Sequence, residues 1–246
     1  MKQFLIPIVG LLSAIAYAAE KPALPTAYTN RNIEGWNVRI DNRLLEGESA
    51  PLGSQALKVL NAKLVDITLI VPEVPLAKLR AVTIEMDLNY GSLSPMQYHG
   101  EASWLKENGY NESLAKCVHI PIAEHLMSPT ENRRMPLVIL HELSHAYHDQ
   151  VLGYEEPRIK AAWKKFCDSG KYKSVLTSPG YMREHYGLTN QMEFFSEMTE
   201  AYFGSNDFFP FVAGELKQAE PEIYSLMAEI WGPILSGDAK PATPKP

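Results

Sequence analysis

The chain has 246 residues, 46% of them hydrophobic, enough to bury a substantial core within one domain. A formal net charge of -6 lacks the basic footprint that nucleic-acid binding needs. Mild acidity excludes little else.

The N-terminus reads as an export signal over residues 1–18. Lys2 supplies the positive start and residues 4–16 form a nearly unbroken apolar run. Ala16-Tyr17-Ala18 then gives the small-x-small pattern of a cleavage site. The run is shorter than the ~20 residues a membrane span needs, and no later segment is apolar enough to cross a bilayer. No cysteine sits near the cleavage point, which excludes lipid attachment there. The mature chain is therefore expected to be secreted or periplasmic. Cys117 and Cys167 remain, and an even pair in an oxidising compartment is expected to bridge.

Residues 19–30, with Pro22 and Pro25, read as a linker, 31–236 as the folded domain, and 237–246 as a Pro-rich disordered tail. Residues 36–40 alternate like a strand. Leu57, Leu60, Leu64, Ile67 and Val71 fall at helical spacing within 55–71. Residues 82–86 alternate again, and a turn-rich stretch follows with Asn89, Gly91 and Pro95. Cys117-Val118-His119-Ile120-Pro121 is extended, and the proline favours an edge strand, beside which a peptide could pair, or a strand end. A long helix is expected to start between 132 and 135, with Pro136 in its first turn, and to end near Leu152. Further helices are expected over 156–168, 190–203 and 221–230. The fold class is α+β: a small mixed or antiparallel sheet on the central helix, then a mainly helical half.

That central helix carries His141-Glu142-Leu143-Ser144-His145, the HExxH pattern. Residues four apart share a helix face, so both imidazoles can reach one ion. Glu142, next to the first histidine, can take a proton from a water whose pKa zinc has lowered towards neutrality. The bland reading, two solvated histidines on a surface helix, conflicts with the apolar run Leu137-Val138-Ile139-Leu140 just before the motif. Burying such groups without a purpose is costly.

A catalytic zinc site needs a third protein ligand. The metzincin continuation would place glycine at 148 and histidine at 151, where the chain has His148 and Val151. An acid from a following helix is the leading option. Glu193, Glu197 and Glu200 lie on one helical stripe, flanked by Phe194, Phe195, Met198, Tyr202 and Phe203. Glu193 is assigned as the ligand, and Glu197 or Glu200 as the acceptor that orients a ligating histidine. His148 is ~10 Å along the axis from His141, too far to share its ion. Asp149 reads as a helix-surface residue, His185 as a loop residue, and His99, His119 and His125 as structural histidines.

The helix HELSHAYHD followed by YGLTNQMEFFSEMTEAYFG resembles the catalytic domain of anthrax toxin lethal factor and its relatives, a gluzincin-like group of zinc peptidases. The resemblance covers roughly 117–205 and is specific in the two helices. It implies a zincin-like fold, Glu193 as third zinc ligand, and Tyr186 as a transition-state residue whose phenol donates to the developing oxyanion or protonates the leaving amine. The expectation is a secreted zinc metallopeptidase acting on peptide or protein substrates. The alternative is a peptidase-like binding module that captures such a partner without cutting it.

Overall fold

The computed structural model describes residues 24–234. The expected export signal and the tail from 237 lie outside them. The described chain is a mixed α+β fold with a small sheet and nine α-helices among the described residues. Its main sheet has the order β1-β2-β3-β5-β4, from β1 (Tyr28–Ile33), β2 (Trp36–Asp41), β3 (Ile84–Met86), β4 (Gln97–Tyr98) and β5 (Val118–Ile120). The three central strands β2, β3 and β5 run parallel, and β1 and β4 close the two edges antiparallel. A separate short hairpin joins β6 (Val175–Leu176) to β7 (Met182–Arg183).

The helices are α1 (Ala50–Ile70), α2 (Glu73–Leu79), α3 (Ala102–Glu107), α4 (Pro129–Arg134), α5 (Val138–Tyr147), α6 (Pro157–Asp168), α7 (Gln191–Phe203), α8 (Ala213–Ala219) and α9 (Pro221–Trp231). None is long and apolar enough to cross a membrane. The sheet's apolar residues, Val38, Ile40, Ile84, Met86, Val118 and Ile120, join one core with Leu60 and Leu64 of α1 and Leu140 and Leu143 of α5. Trp36 anchors the sheet to α2 by donating its indole N–H to the Leu79 carbonyl at 2.9 Å.

Several expectations need correction. Residues 28–30, read as linker, pair with β2 in the six-residue strand β1. Of the two readings of Pro121, the strand end holds and the edge does not: β5 stops at Ile120 and has β3 on one side and β4 on the other. The edge is β4, only two residues long, whose side-chain pattern is too short to detect. The single helix expected from 132–135 is two. Met135 leaves the helical region (φ -127, ψ 73), which the ring of a following proline disfavours, and α5 restarts at Val138. It then closes in a π turn over His148–Leu152. The expected bridge is absent, since Cys117 and Cys167 are both free thiols. Burial pushes the Cys117 thiol up to about 11.

One close approach fixes how α1 meets the sheet. A Cβ on Gly53 would lie 1.9 Å from the Leu44 carbonyl oxygen, far inside contact distance. In an open helix, alanine would stabilise by ~1 kcal/mol relative to glycine. Here the clash is with backbone and cannot be relieved by a rotamer change. Gly53→Ala is expected to destabilise by about 1–3 kcal/mol in a urea melt. An unchanged or raised midpoint would show that α1 does not press on Leu44.

Candidate metal centre

Helices α5 and α7 pack against each other and between them bring the three predicted ligands together. His141 and His145, one turn apart, place their Nε2 atoms 3.2 Å from one another. Glu193 from α7 directs Oε2 at both, 3.2 Å from His141 and 3.3 Å from His145. An ion with tetrahedral bonds of ~2.0–2.1 Å has donor-to-donor edges of about 3.3 Å. The three atoms thus form a near-equilateral triangle of the size one ion requires, and the group could hold a metal.

Local chemistry explains the aim of each side chain. Asn190 caps α7, its Oδ1 accepting from the backbone N–H groups of Met192 and Glu193, so Glu193 sits in the helix's first turn. The Ser196 hydroxyl donates to the His141 carbonyl at 3.1 Å and locks the two helices in register. Glu200, fully buried two turns beyond Glu193, accepts from His141 Nδ1 at 2.6 Å. That bond leaves Nε2 as the free donor atom and fixes the ring's orientation. Of the two acids proposed for this role, Glu200 fills it.

Glu197 does something else. It is buried, lines the cleft, and lies 3.9 Å from His185 Nδ1 with no hydrogen bond to His141 or His145. Burial and the neighbouring Glu200 push its carboxyl well above the usual carboxylate range. His185 itself accepts from the Gly187 N–H and packs against Phe166, Tyr172 and Phe208, a structural role. His148 is fully buried between Tyr154 and Phe195, away from the triangle. Asp149 is more than a surface residue: it accepts from the Tyr98 phenol and from Lys116, each at 2.6 Å.

Charge is divided unevenly across the centre. Burial would raise the Glu193 carboxyl, but its bonds to His141 and His145 hold it well below the usual range. Burial would lower His141, and its contacts with Glu193 and Glu200 outweigh that and raise it. Glu142 goes the other way: burial raises its carboxyl, with the two imidazoles opposing. Its Oε2 accepts from the backbone N–H of Tyr98 at 2.8 Å. No sequence signal points to this contact, because the donor is a main-chain amide on a two-residue strand. Tyr186 stands half-exposed at the rim, its phenol 3.5 Å from Glu193 Oε1.

The centre opens into a cleft of about 890 Å³. Met96, Leu126, Met135, Val138 and Phe208 supply apolar wall, and Gln97 and Tyr98 of the edge strand β4 run along one side. Arg134, which pairs with Glu131 and Asp207, borders the other end.

Comparison of the chain with protein-family models, curated proteins and solved structures returns no match. The functional reading therefore rests on the residues themselves.

Glu200→Gln keeps the shape of the side chain and removes its charge. Divalent-metal affinity is expected to fall about 10–100-fold, with secondary structure by circular dichroism unchanged. Undiminished affinity would mean that Glu200 does not tune His141.

Proposed function

We propose that the protein is a zinc-dependent metallopeptidase of zincin-like fold, exported from the cytoplasm, with His141, His145 and Glu193 as its zinc ligands. The observation that carries this reading is the 3.2–3.3 Å triangle of two imidazole nitrogens and one carboxylate oxygen at the floor of an open cleft. Two neutral-nitrogen donors and one carboxylate are a donor set that suits catalytic zinc, which keeps a fourth position for water or substrate. When bound, zinc supplies Lewis acidity: it polarises a carbonyl and lowers the pKa of a water.

The chain's own groups then have separable tasks. An extended peptide lies in the cleft beside β4, the outer edge of the sheet. Glu142 takes a proton from the attacking water and passes it to the leaving amine. Its raised carboxyl pKa brings it closer to the working range of a general base near neutral pH. The Tyr98 N–H pins one Glu142 oxygen, so the other is the one that faces the reacting water. The phenol of Tyr186 donates to the oxygen on which negative charge develops. Glu200 keeps His141 in the tautomer that ligates. The family resemblance in the two helices supports the same roles for Glu193 and Tyr186.

Substrate identity is sought by incubating the purified, zinc-loaded protein with a diverse peptide library and reading cuts by mass spectrometry. Cleavage that stops on chelation and returns with zinc is expected. Tight binding of peptides without any cut would favour the capture module instead. Glu142→Gln should retain its zinc and lose turnover by at least about 10²–10⁴-fold, the span of general-base catalysis. Normal cleavage by that variant would remove Glu142 from the mechanism. Tyr186→Phe should lower kcat while leaving zinc content and KM near their starting values; an unaltered kcat rules out the phenol's proposed part.

A further inference from the structure

The sheet has a second polar face that the peptidase reading does not use. Strand residues alternate between faces, so Glu85, between the core residues Ile84 and Met86, points away from α5. Asp87, two residues on, shares that side. The parallel pairing of β3 with β5 sets His119 directly beside Glu85. All three are at most 1% exposed, and one ligand atom from each lies within 4.8 Å of the others.

Two features separate this cluster from an ordinary buried ion network. Asp87 Oδ1 and Glu85 Oε2 are buried without a hydrogen-bond partner, although carboxylate oxygens held that deeply normally accept from something. Arg39 approaches Glu85 Oε2 at 3.1 Å as an ion pair and the Tyr28 phenol bonds to both acids, yet Asp87 Oδ1 stays without a partner. The neighbouring Asp41, an acceptor for Arg43 and the Leu88 N–H, adds a further acid beside Asp87 and has no proton to donate to it. The second feature is the histidine. His119 Nε2 faces Asp87 Oδ2 at 2.7 Å, while its Nδ1 sits 3.1 Å from His99 Nε2. A ring held at one nitrogen and presented at the other is how proteins orient a ligating imidazole.

We propose that Glu85, Asp87 and His119 form a second, structural divalent-cation site, selective for a zinc-class transition metal. One imidazole with two carboxylates is a borderline donor set, which suits zinc better than calcium, whose sites use six to eight oxygens.

The site's place in the fold gives it a task. This face of the sheet is covered by a small separate cluster, Tyr90, Leu93, Leu105 and Leu114, from the segment between β3 and β5. Tyr90 lies edge-on to the His119 ring at 4.9 Å, and Trp104 stacks near His99. That segment contains β4, whose Tyr98 amide holds Glu142. A cation bridging β3 and β5 fastens the base of the segment that positions the general base. The inference goes beyond the peptidase proposal and does not need it to be correct.

The test removes the first centre and counts what remains. The full chain carrying His141→Ala and His145→Ala is stripped with a chelator, reloaded with zinc, desalted and assayed by plasma mass spectrometry. It is expected to retain about one ion per chain and to melt at a higher temperature than its stripped form. Adding Asp87→Asn should abolish both effects. No retained zinc in the double variant overturns the proposal, as does zinc that Asp87→Asn leaves in place. Should Asp87→Asn fail to fold, zinc-edge absorption of the double variant decides: one imidazole with oxygen donors supports the site, and sulfur or several imidazoles overturn it.

Discussion

The structure turns on the packing of α5 against α7. A helix can offer two imidazoles on one face without help, since the i, i+4 spacing does that. It cannot supply the third donor at the right distance, because every residue further along the same stripe is displaced by a turn or more. The third donor has to come from another helix whose rotation and axial position are both fixed. Three contacts impose that: the Ser196 hydroxyl on the His141 carbonyl, Glu200 on the His141 ring, and the Asn190 cap that sets where α7 begins. Glu193 meets the histidines because residues three and seven positions further along α7 are already bound to α5.

This arrangement places acids of similar sequence context into different electrostatic states. Glu193, Glu197 and Glu200 lie on one stripe, yet Glu193 is held ionised by two imidazoles and Glu197 is pushed towards its protonated form by burial and Glu200. Coulombic interaction in a low-dielectric interior is strong enough to sort neighbours this way. One full negative charge next to the ligating nitrogens suits a divalent cation. A second unpaired one would have to be offset elsewhere.

The parts of the site that could be read in the sequence are those with helical periodicity. HExxH and the acidic stripe repeat at three and four residues, so His141, Glu142, His145, Glu193 and the choice between Glu197 and Glu200 were all within reach. What could not be read depends on main-chain atoms or on strands too short to show alternation. The Tyr98 amide is the clearest case: any residue except proline could donate there. The same limit hides the sheet edge: Pro121 marks the end of β5, which lies inside the sheet, while β4 is too short to carry a pattern. Tyr28 to Asn30 were read as linker for a related reason. In β1 the pattern has no fully buried position, so hydrophobicity gives no strand signal and pairing with β2 alone defines it. The break before α5 is the reverse case: Pro136 carries a clear signal, and its effect falls on Met135, which leaves the helical region.

The two polar clusters explain why so small a sheet is buried on both faces. Parallel strands such as β2, β3 and β5 are ordinarily covered on each side by apolar layers, and their residues are apolar throughout. Here the α5 side follows that rule while the other side carries Arg39, Glu85 and His119 at matching register positions. A polar row under a cover of only four buried apolar residues, Tyr90, Leu93, Leu105 and Leu114, gains little from the hydrophobic effect. The cover must be retained by directional interactions instead, and the buried acids and imidazole are the groups available to make them. Because β4 belongs to that cover and its Tyr98 amide grips Glu142, rigidity on the far face of the sheet governs the position of the carboxylate in the cleft. The link runs through two strands and one hydrogen bond. It makes the Glu142 carboxylate only as well placed as the segment between β3 and β5 is well anchored.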